Sequence, residues 1–418
     1  MLRQGAFSIL LSFLLIACGA SQSIEGPETT NLNEDVLALE EITLNGAGSV
    51  GIFDPSVARE DDQSPIYMAY SSVEIPTSGT DNFAVSTQLA KSTDEGKTWS
   101  KVADIVSAPE VTTTFSGVEK GIWGHETSNL FYDSTATDPN KRWVLIGVRL
   151  LTLRRGFNGG DGREFAHSWI SLRQAATAEG LASAPETKWF AGSLLSSLSD
   201  TAGGSTQTPV AGPAAIQISN AILPQLNSFP GTVIAEPSLM IQNGKVHLAL
   251  QVVTPPPFFS KKIHILRCDT TPCDYTNSAA WSYVGNAFQS ETGINLIGSG
   301  NRAAPELVSQ NGKVFVIVTG TTDTPWASYY AGCKVYKYED FSNLTLSLEP
   351  TLANGIEVGK NAVASLSLRV DDNFHGACSY MPGLSGGMLV SRFFHDASNV
   401  NQSRFKIYKT NIFKVFDQ

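Results

Sequence analysis

Ala235-Glu236-Pro237-Ser238-Leu239-Met240-Ile241-Gln242-Asn243-Gly244-Lys245-Val246-His247-Leu248-Ala249-Leu250 reads as strand, tight turn, strand. Asn243-Gly244 is a strong hairpin signal, because both central turn positions need positive φ and Asn and Gly tolerate it. The apolar flanks run only a few residues, which suits buried strands better than helices. The pattern returns as Ala304-Pro305-Glu306-Leu307-Val308-Ser309-Gln310-Asn311-Gly312-Lys313-Val314-Phe315-Val316-Ile317-Val318. In both copies Asn-Gly-Lys begins six residues after the proline (243 − 237 and 311 − 305). A hairpin repeated in register marks a repeat architecture. The copies differ in one place that matters for chemistry: Glu236 precedes the first proline and Ala304 the second.

Working outward, the starts of the other four units can be placed, and the first repeats the opening motif. Gly51-Ile52-Phe53-Asp54-Pro55-Ser56-Val57 leads through an acidic turn into Ile66-Tyr67-Met68-Ala69-Tyr70-Ser71-Ser72. A second unit starts at Gly121-Ile122-Trp123-Gly124-His125-Glu126-Thr127-Ser128-Asn129 and continues at Trp143. The fourth starts near Asn301-Arg302, and the fifth at Phe374-His375-Gly376-Ala377-Cys378, with a hairpin at Gly386-Gly387. Five units of three to four strands, with no amphipathic helix, predict an all-β β-propeller of five blades, in which radial repetition leaves few open edges. A sixth blade is accommodated if the Ser/Thr/Gly/Ala/Pro-rich insertion at 193–232 hides one. The Gly-rich loop at 157–162 lacks a following helix, which argues against a phosphate cradle.

The chain has 418 residues, with 36 Gly, 20 Pro and 42% hydrophobic residues, a composition that fits many short strands joined by turns. Its net charge of −10 excludes the basic footprint of nucleic-acid binding. Arg3 followed by an apolar run from Ala6 to Ile16 reads as an export signal, too short for a stable bilayer span. It ends in Leu15-Ile16-Ala17-Cys18-Gly19, which resembles a bacterial lipobox. That resemblance implies lipid on Cys18 and, with no Asp after it, an outer-membrane destination. The alternative is a plain secretory signal with an incidental cysteine. The expected organisation is a signal over 1–17, a polar tether over 18–45 and a propeller over 46–418.

With Cys18 lipidated, four of the five cysteines are left in an oxidising compartment. Cys268 and Cys273 are close enough in sequence to staple a loop, leaving Cys333 and Cys378 to pair across the fold. Three connectivities are open to four cysteines, and no CxxC spacing speaks for the alternative of zinc.

Ser92-Thr93-Asp94-Glu95-Gly96-Lys97-Thr98-Trp99 matches the Asp-box and resembles the turns between outer blade strands of sialidases and related propellers. The Asp is expected to cap the turn, the Gly to take positive φ and the Trp to pack beneath.

A propeller would bring the motif starts together around its channel: Asp54, His125 or Glu126, Glu236, Arg302 and His375. Converging carboxylates are what glycoside hydrolysis needs, one holding a proton and another ionised. Trp123, among other tryptophans, is a candidate for stacking on a sugar face. The plainer reading is that the acids bond backbone amides beside the channel.

The arrangement resembles the five-bladed propeller glycosidases, glycoside hydrolase family 43 and its furanosidase relatives such as family 32. The resemblance rests on Asp54-Pro55-Ser56-Val57 and Glu236-Pro237-Ser238-Leu239. It implies that Asp54 is a general base or nucleophile and Glu236 a general acid or pKa modulator, with Glu126 as a third carboxylate. It implies that His375 holds a water or a Ca2+ ion in the channel; His125, Arg302 and Trp123 join it as candidates for substrate binding from their expected places around the channel. It further implies a carbohydrate substrate. The protein is expected to be a monomer, held at the membrane through Cys18 as the lipobox resemblance implies. The sequence departs from family 43 at Ala303-Ala304-Pro305, where that family carries a general-acid Glu, and from family 32 at His125-Glu126-Thr127. A propeller that binds a glycan or protein without turnover is therefore the alternative. A sialidase is the weaker one, since no Arg-Ile-Pro opens the first unit.

Overall fold

The computed structural model describes residues 39–46, 48, 50–74, 84–112, 120–154, 163–191, 209–210, 214–217, 233–254, 260–288, 302–324, 327–347, 350–353, 356–360, 362–366, 369–370, 373–384, 387–394 and 404–411. The signal segment, Cys18, the 157–162 loop, most of the 193–232 insertion, Trp326 and Gly386 lie outside them.

No α-helix occurs among the described residues, and the strands form successive antiparallel meanders. Blade one is Gly51–Ala58, Ile66–Glu74, Ala84–Ser92 and Trp99–Val106. Blade two is Lys120–Tyr132, Trp143–Arg154, Arg163–Ala175 and Thr187–Ala191. Blade three is Val233–Gln242, Lys245–Thr254, Ser260–Cys268 and Trp281–Asn286. Blade four is Arg302–Gln310, Lys313–Thr324 and Ala327–Asp340, with Ala362–Leu366 as a further partner of the third strand. Blade five is Asn373–Tyr380, Met388–Phe394 and Arg404–Thr410. The Asn-Gly hairpins of blades three and four have positive φ at both turn residues, as expected (53° and 69°; 52° and 74°).

Blade five gains an outer strand from the start of the fold. Glu40–Glu41 pairs antiparallel with Tyr408 and Lys409, and Leu44–Asn45 then pairs with Trp99 and Ser100 of blade one. This corrects the tether expected over 18–45: its last residues belong to the ring. Ile42 is buried and Leu44 packs beside it, while Glu40 and Glu41 face Lys409 and Lys406 at 3.2 and 2.8 Å. Glu40 and Glu41, expected in the tether, are thus strand residues paired with lysines of the last strand.

The cores lie between blades. Leu89 and Ile105 meet Leu130, Trp143 and Leu145 at the first seam. Ile170 and Trp189 meet Leu248 and Trp281 at the second, and Ile263 and Ile265 meet Val316 and Tyr336 at the third. Phe315 and Val335 meet Met388 and Val390 at the fourth, and Leu389 and Ile407 meet Ile52 and Met68 at the fifth. Each large side chain buried this way contributes about 1.5–3 kcal/mol. The blade faces are therefore apolar on both sides, which is why the strands read as short continuous apolar runs.

A polar belt closes the same ring. The Leu130 amide donates to Ser56 Oγ at 2.9 Å, and the Leu239 amide to Asn129 Oδ1 at 2.9 Å. The Leu307 amide donates to Ser238 Oγ at 3.0 Å, the Tyr380 amide to Glu306 at 2.8 Å and the Val57 amide to Ser379 Oγ at 3.2 Å. Each blade thus accepts one backbone proton from the next, and the last bond returns to blade one. Both disulfides form as expected: Cys268–Cys273 within blade three, and Cys333–Cys378 between blades four and five.

Between the outer strands of blade one, Asp94 accepts from the Thr98 amide at 2.9 Å and the Thr98 hydroxyl at 2.7 Å. Those bonds hold its carboxyl down at about pKa 2. Gly96 has φ +73°, and buried Trp99 donates Nε1–H to its carbonyl at 3.2 Å. The turn is a structural unit on the outer part of the blade.

Candidate functional site

Each inner strand carries a β-bulge at the same level. The register shifts after Phe53, Glu126, Ala235, Ala303 and Gly376. The next residue in each is left-handed: Asp54 (φ 49°), Thr127 (50°), Glu236 (49°), Ala304 (43°) and Ala377 (47°). None is glycine, and each costs on the order of 1–2 kcal/mol of backbone strain. The bulges set the five residues in equivalent places around the ring.

This alignment fixes what the prolines only hinted at. Asp54, Glu236 and Ala304 are equivalent, so Ala304 is the bare position of blade four. In blade two the equivalent is Thr127, and Glu126 stands one residue before it, level with Ala303. His125, Arg302 and His375 share the position two residues before the left-handed residue.

Asp54, Glu126 and Glu236 are all buried, at 5%, 2% and 4% exposure. Burial pushes the Asp54 carboxyl well above the ordinary aspartate range, and the charges of Glu126 and then Glu236 push it further up. The Thr127 amide and the Ser71 hydroxyl, 3.5 Å away, act in the opposite direction by favouring the ionised form. Three acids from distant parts of the chain are therefore in electrostatic contact.

Each acid on a left-handed position also reaches one blade forward. Asp54 accepts the Thr127 amide, and Glu236 accepts the Ala304 amide. In blades four and five a hydroxyl from the second strand makes the same reach. Thr319 Oγ1 accepts the Ala377 amide at 2.7 Å, and Ser391 Oγ accepts the Asp54 amide at 3.0 Å.

Three of the binding candidates, His125, Trp123 and Arg302, are buried as well, the first two completely. His125 is fully buried, with Nδ1 2.6 Å from Thr87 Oγ1 and Nε2 2.6 Å from Ser171 Oγ. Burial, then Arg149 and Arg173, hold its pKa well below the ordinary value, so it is a neutral link between blades one and two. Gly147 makes room for it, since a Cβ there would lie 2.4 Å from His125 Cε1. Arg302 lays its guanidinium over Phe288 at 3.9 Å. Trp123 is fully buried against Trp169, 4.8 Å between ring centres. The structure thus packs His125 between blades one and two, Trp123 against Trp169 and Arg302 against Phe288. The His375 backbone pairs with Arg392, and its side chain lies outside the described residues. Among the described residues no group of three or more His, Cys, Asp or Glu is placed to hold a metal ion.

Sequence reading missed Thr127, Ser71, Thr319 and Ser391. Glu306 belongs to the belt, where its carboxyl accepts from Ser379 Oγ at 3.0 Å and the Tyr380 amide. Burial pushes it up to about 8.

No family model matches the chain, and no curated protein matches it. Solved structures that it resembles are glycoside hydrolases. Zg3597, a family 117 glycoside hydrolase of the marine bacterium Zobellia galactanivorans, shares 12% identity over 91% of this chain and 92% of its own, with a TM-score of 0.49. The Bacillus subtilis arabinanase Arb43A shares 14% identity over 85% of this chain and 92% of its own, with a TM-score of 0.39. The Bombyx mori family 32 β-fructofuranosidase BmSUC1 shares 9% identity over 89% of this chain, which spans only 61% of that enzyme, with a TM-score of 0.48. The likeness is one of fold, and it carries no residue role or substrate across.

Proposed function

We propose that this protein is a glycoside hydrolase-like propeller acting on a poly- or oligosaccharide, with its chemistry at Asp54, Glu126 and Glu236. One observation carries the reading. Capping a left-handed amide in this ring needs only a hydroxyl, as Thr319 and Ser391 demonstrate at two seams. Blades one and three use carboxyls for that task although burying them is costly. A purely structural role leaves that choice unexplained, whereas proton transfer at a glycosidic oxygen requires it. Asp54, raised by burial and by its two acidic neighbours, is the carboxyl whose proton moves. Glu126 and Glu236 supply the negative charge that an oxocarbenium-like transition state favours.

The test is turnover on arabinan, xylan, fructan and sialoside panels by the wild-type protein and Asp54→Asn. Hydrolysis that vanishes in a folded variant supports the reading, and hydrolysis that persists rejects it. A second reading, glycan binding without turnover, draws on the bare fourth blade, Ala303-Ala304-Pro305. It predicts a wild-type protein that binds on a glycan array, hydrolyses nothing and keeps that binding in Asp54→Asn.

The same proposal includes export and lipid attachment at Cys18, with the propeller displayed at an outer membrane. Incorporation of a labelled fatty acid that Cys18→Ala abolishes is the expected result.

A further inference from the structure

We propose that Ser391, on the second strand of blade five, is a positioning residue for Asp54. The inference rests on the reading of Asp54 as the proton-carrying carboxyl. Ser391 Oγ accepts the Asp54 amide proton at 3.0 Å across the seam between blades five and one. The same oxygen lies 3.5 Å from the Ala377 carbonyl, to which its own proton points. One buried hydroxyl thus ties together the left-handed residues of two consecutive blades.

The bond acts on orientation. At φ 49° the Asp54 side chain leaves the strand in a direction that an extended backbone does not offer. That direction carries the carboxyl to the Thr127 amide and within 3.5 Å of Ser71 Oγ, facing Glu126 and Glu236. With the amide proton held by Ser391, the strained backbone is fixed at one end and the carboxyl at the other. Without Ser391 the buried amide loses its acceptor, and the backbone is free to relax away from the left-handed region.

The experiment compares Ser391→Ala and Ser391→Thr with the wild-type protein. Thr319→Val serves as a control at the neighbouring seam, where no acid is held. The first readout is the carboxyl 13C titration of Asp54, assigned by its absence in Asp54→Asn. Ser391→Ala is expected to raise the midpoint by about half a pH unit or more, because the Thr127 amide and Ser71 hydroxyl lose their alignment with the ionised form. Ser391→Thr restores the midpoint, and Thr319→Val leaves it in place. The second readout is kcat on the substrate found above, which falls about tenfold in Ser391→Ala as the carboxyl loses its aim. An unchanged or lowered midpoint in folded Ser391→Ala, or no rescue by threonine, overturns the proposal. If no glycan is hydrolysed by the wild-type protein, the functional reading fails while the titration still judges Ser391. If the alanine variant does not fold, Ser391→Cys, of similar shape but a weak acceptor, takes the same measurement.

Discussion

In blades one and three the left-handed residue is acidic, and its own carboxyl reaches the amide of the next blade. In blades four and five that residue is alanine, and Thr319 or Ser391 reaches from the strand behind it. Thr319 and Ser391 face Ala303 and Gly376 across their hairpins; the matching position in blade one is Ser71, facing Phe53. There the hydroxyl supports Asp54 instead of replacing it. These two pairs of blades thus share one backbone geometry and divide on chemistry. The bare pair has a covalent tie as well, since Cys378 follows Ala377 directly and bonds Cys333 of blade four.

The division makes opposite demands on variants. The largest effect is expected from Asp54→Asn, which keeps an oxygen for the Thr127 amide. Hydrolysis should fall by about 10²–10⁴-fold, the usual worth of a general acid or base, with thermal stability unchanged or raised. A loss of folding instead would place Asp54 with the structural pair. Next comes the double variant Cys333→Ala, Cys378→Ala, which should lose about 2–4 kcal/mol in denaturant titrations and keep its turnover. Thr319→Val is nearly isosteric and leaves the buried Ala377 amide unpaired. It should cost about 1–3 kcal/mol, again without loss of kcat.

The smallest effect is a pH slope. Glu306 titrates near 8 in the fold against an ordinary 4.5. Its folded pKa is raised, so the stability it contributes is complete below 4.5 and is lost as pH rises through 8. Glu306→Gln should flatten that part of the melting temperature against pH between about 4.5 and 8. An identical slope in the variant would show that Glu306 is ionised in the belt.

Much of the fold could be read from residues. The two Asn-Gly turns, the acid-Pro openings of blades one and three and the cysteine spacings each state a local rule that the backbone obeys. What escaped the sequence was long-range. Thr127 and Ala377 lack a following proline, so nothing local marked them as partners of Asp54, and His125 and Glu126 drew attention instead. Ser391 meets Asp54 across 337 residues of chain, and no spacing rule reaches so far. His125 and Trp123 looked like ligands because polar and aromatic residues at motif starts look alike whether they face a channel or a neighbouring blade. Only the hydroxyls of Thr87 and Ser171 at the His125 nitrogens separate the two cases.

The strand pairing of Glu40–Glu41 with the last strand of blade five has a mechanical meaning. That short pairing is backed by Ile42, whose amide donates to the Ile407 carbonyl at 3.0 Å, and by two lysine–glutamate contacts. Such contacts are individually weak, about 0–1 kcal/mol each. A load applied at Glu40–Glu41 would therefore meet a short pairing before it met the longer ladders of the blades. Peeling that strand would uncover Tyr408 and Lys409 at the outer edge of blade five, the blade whose Ser391 accepts the Asp54 amide proton.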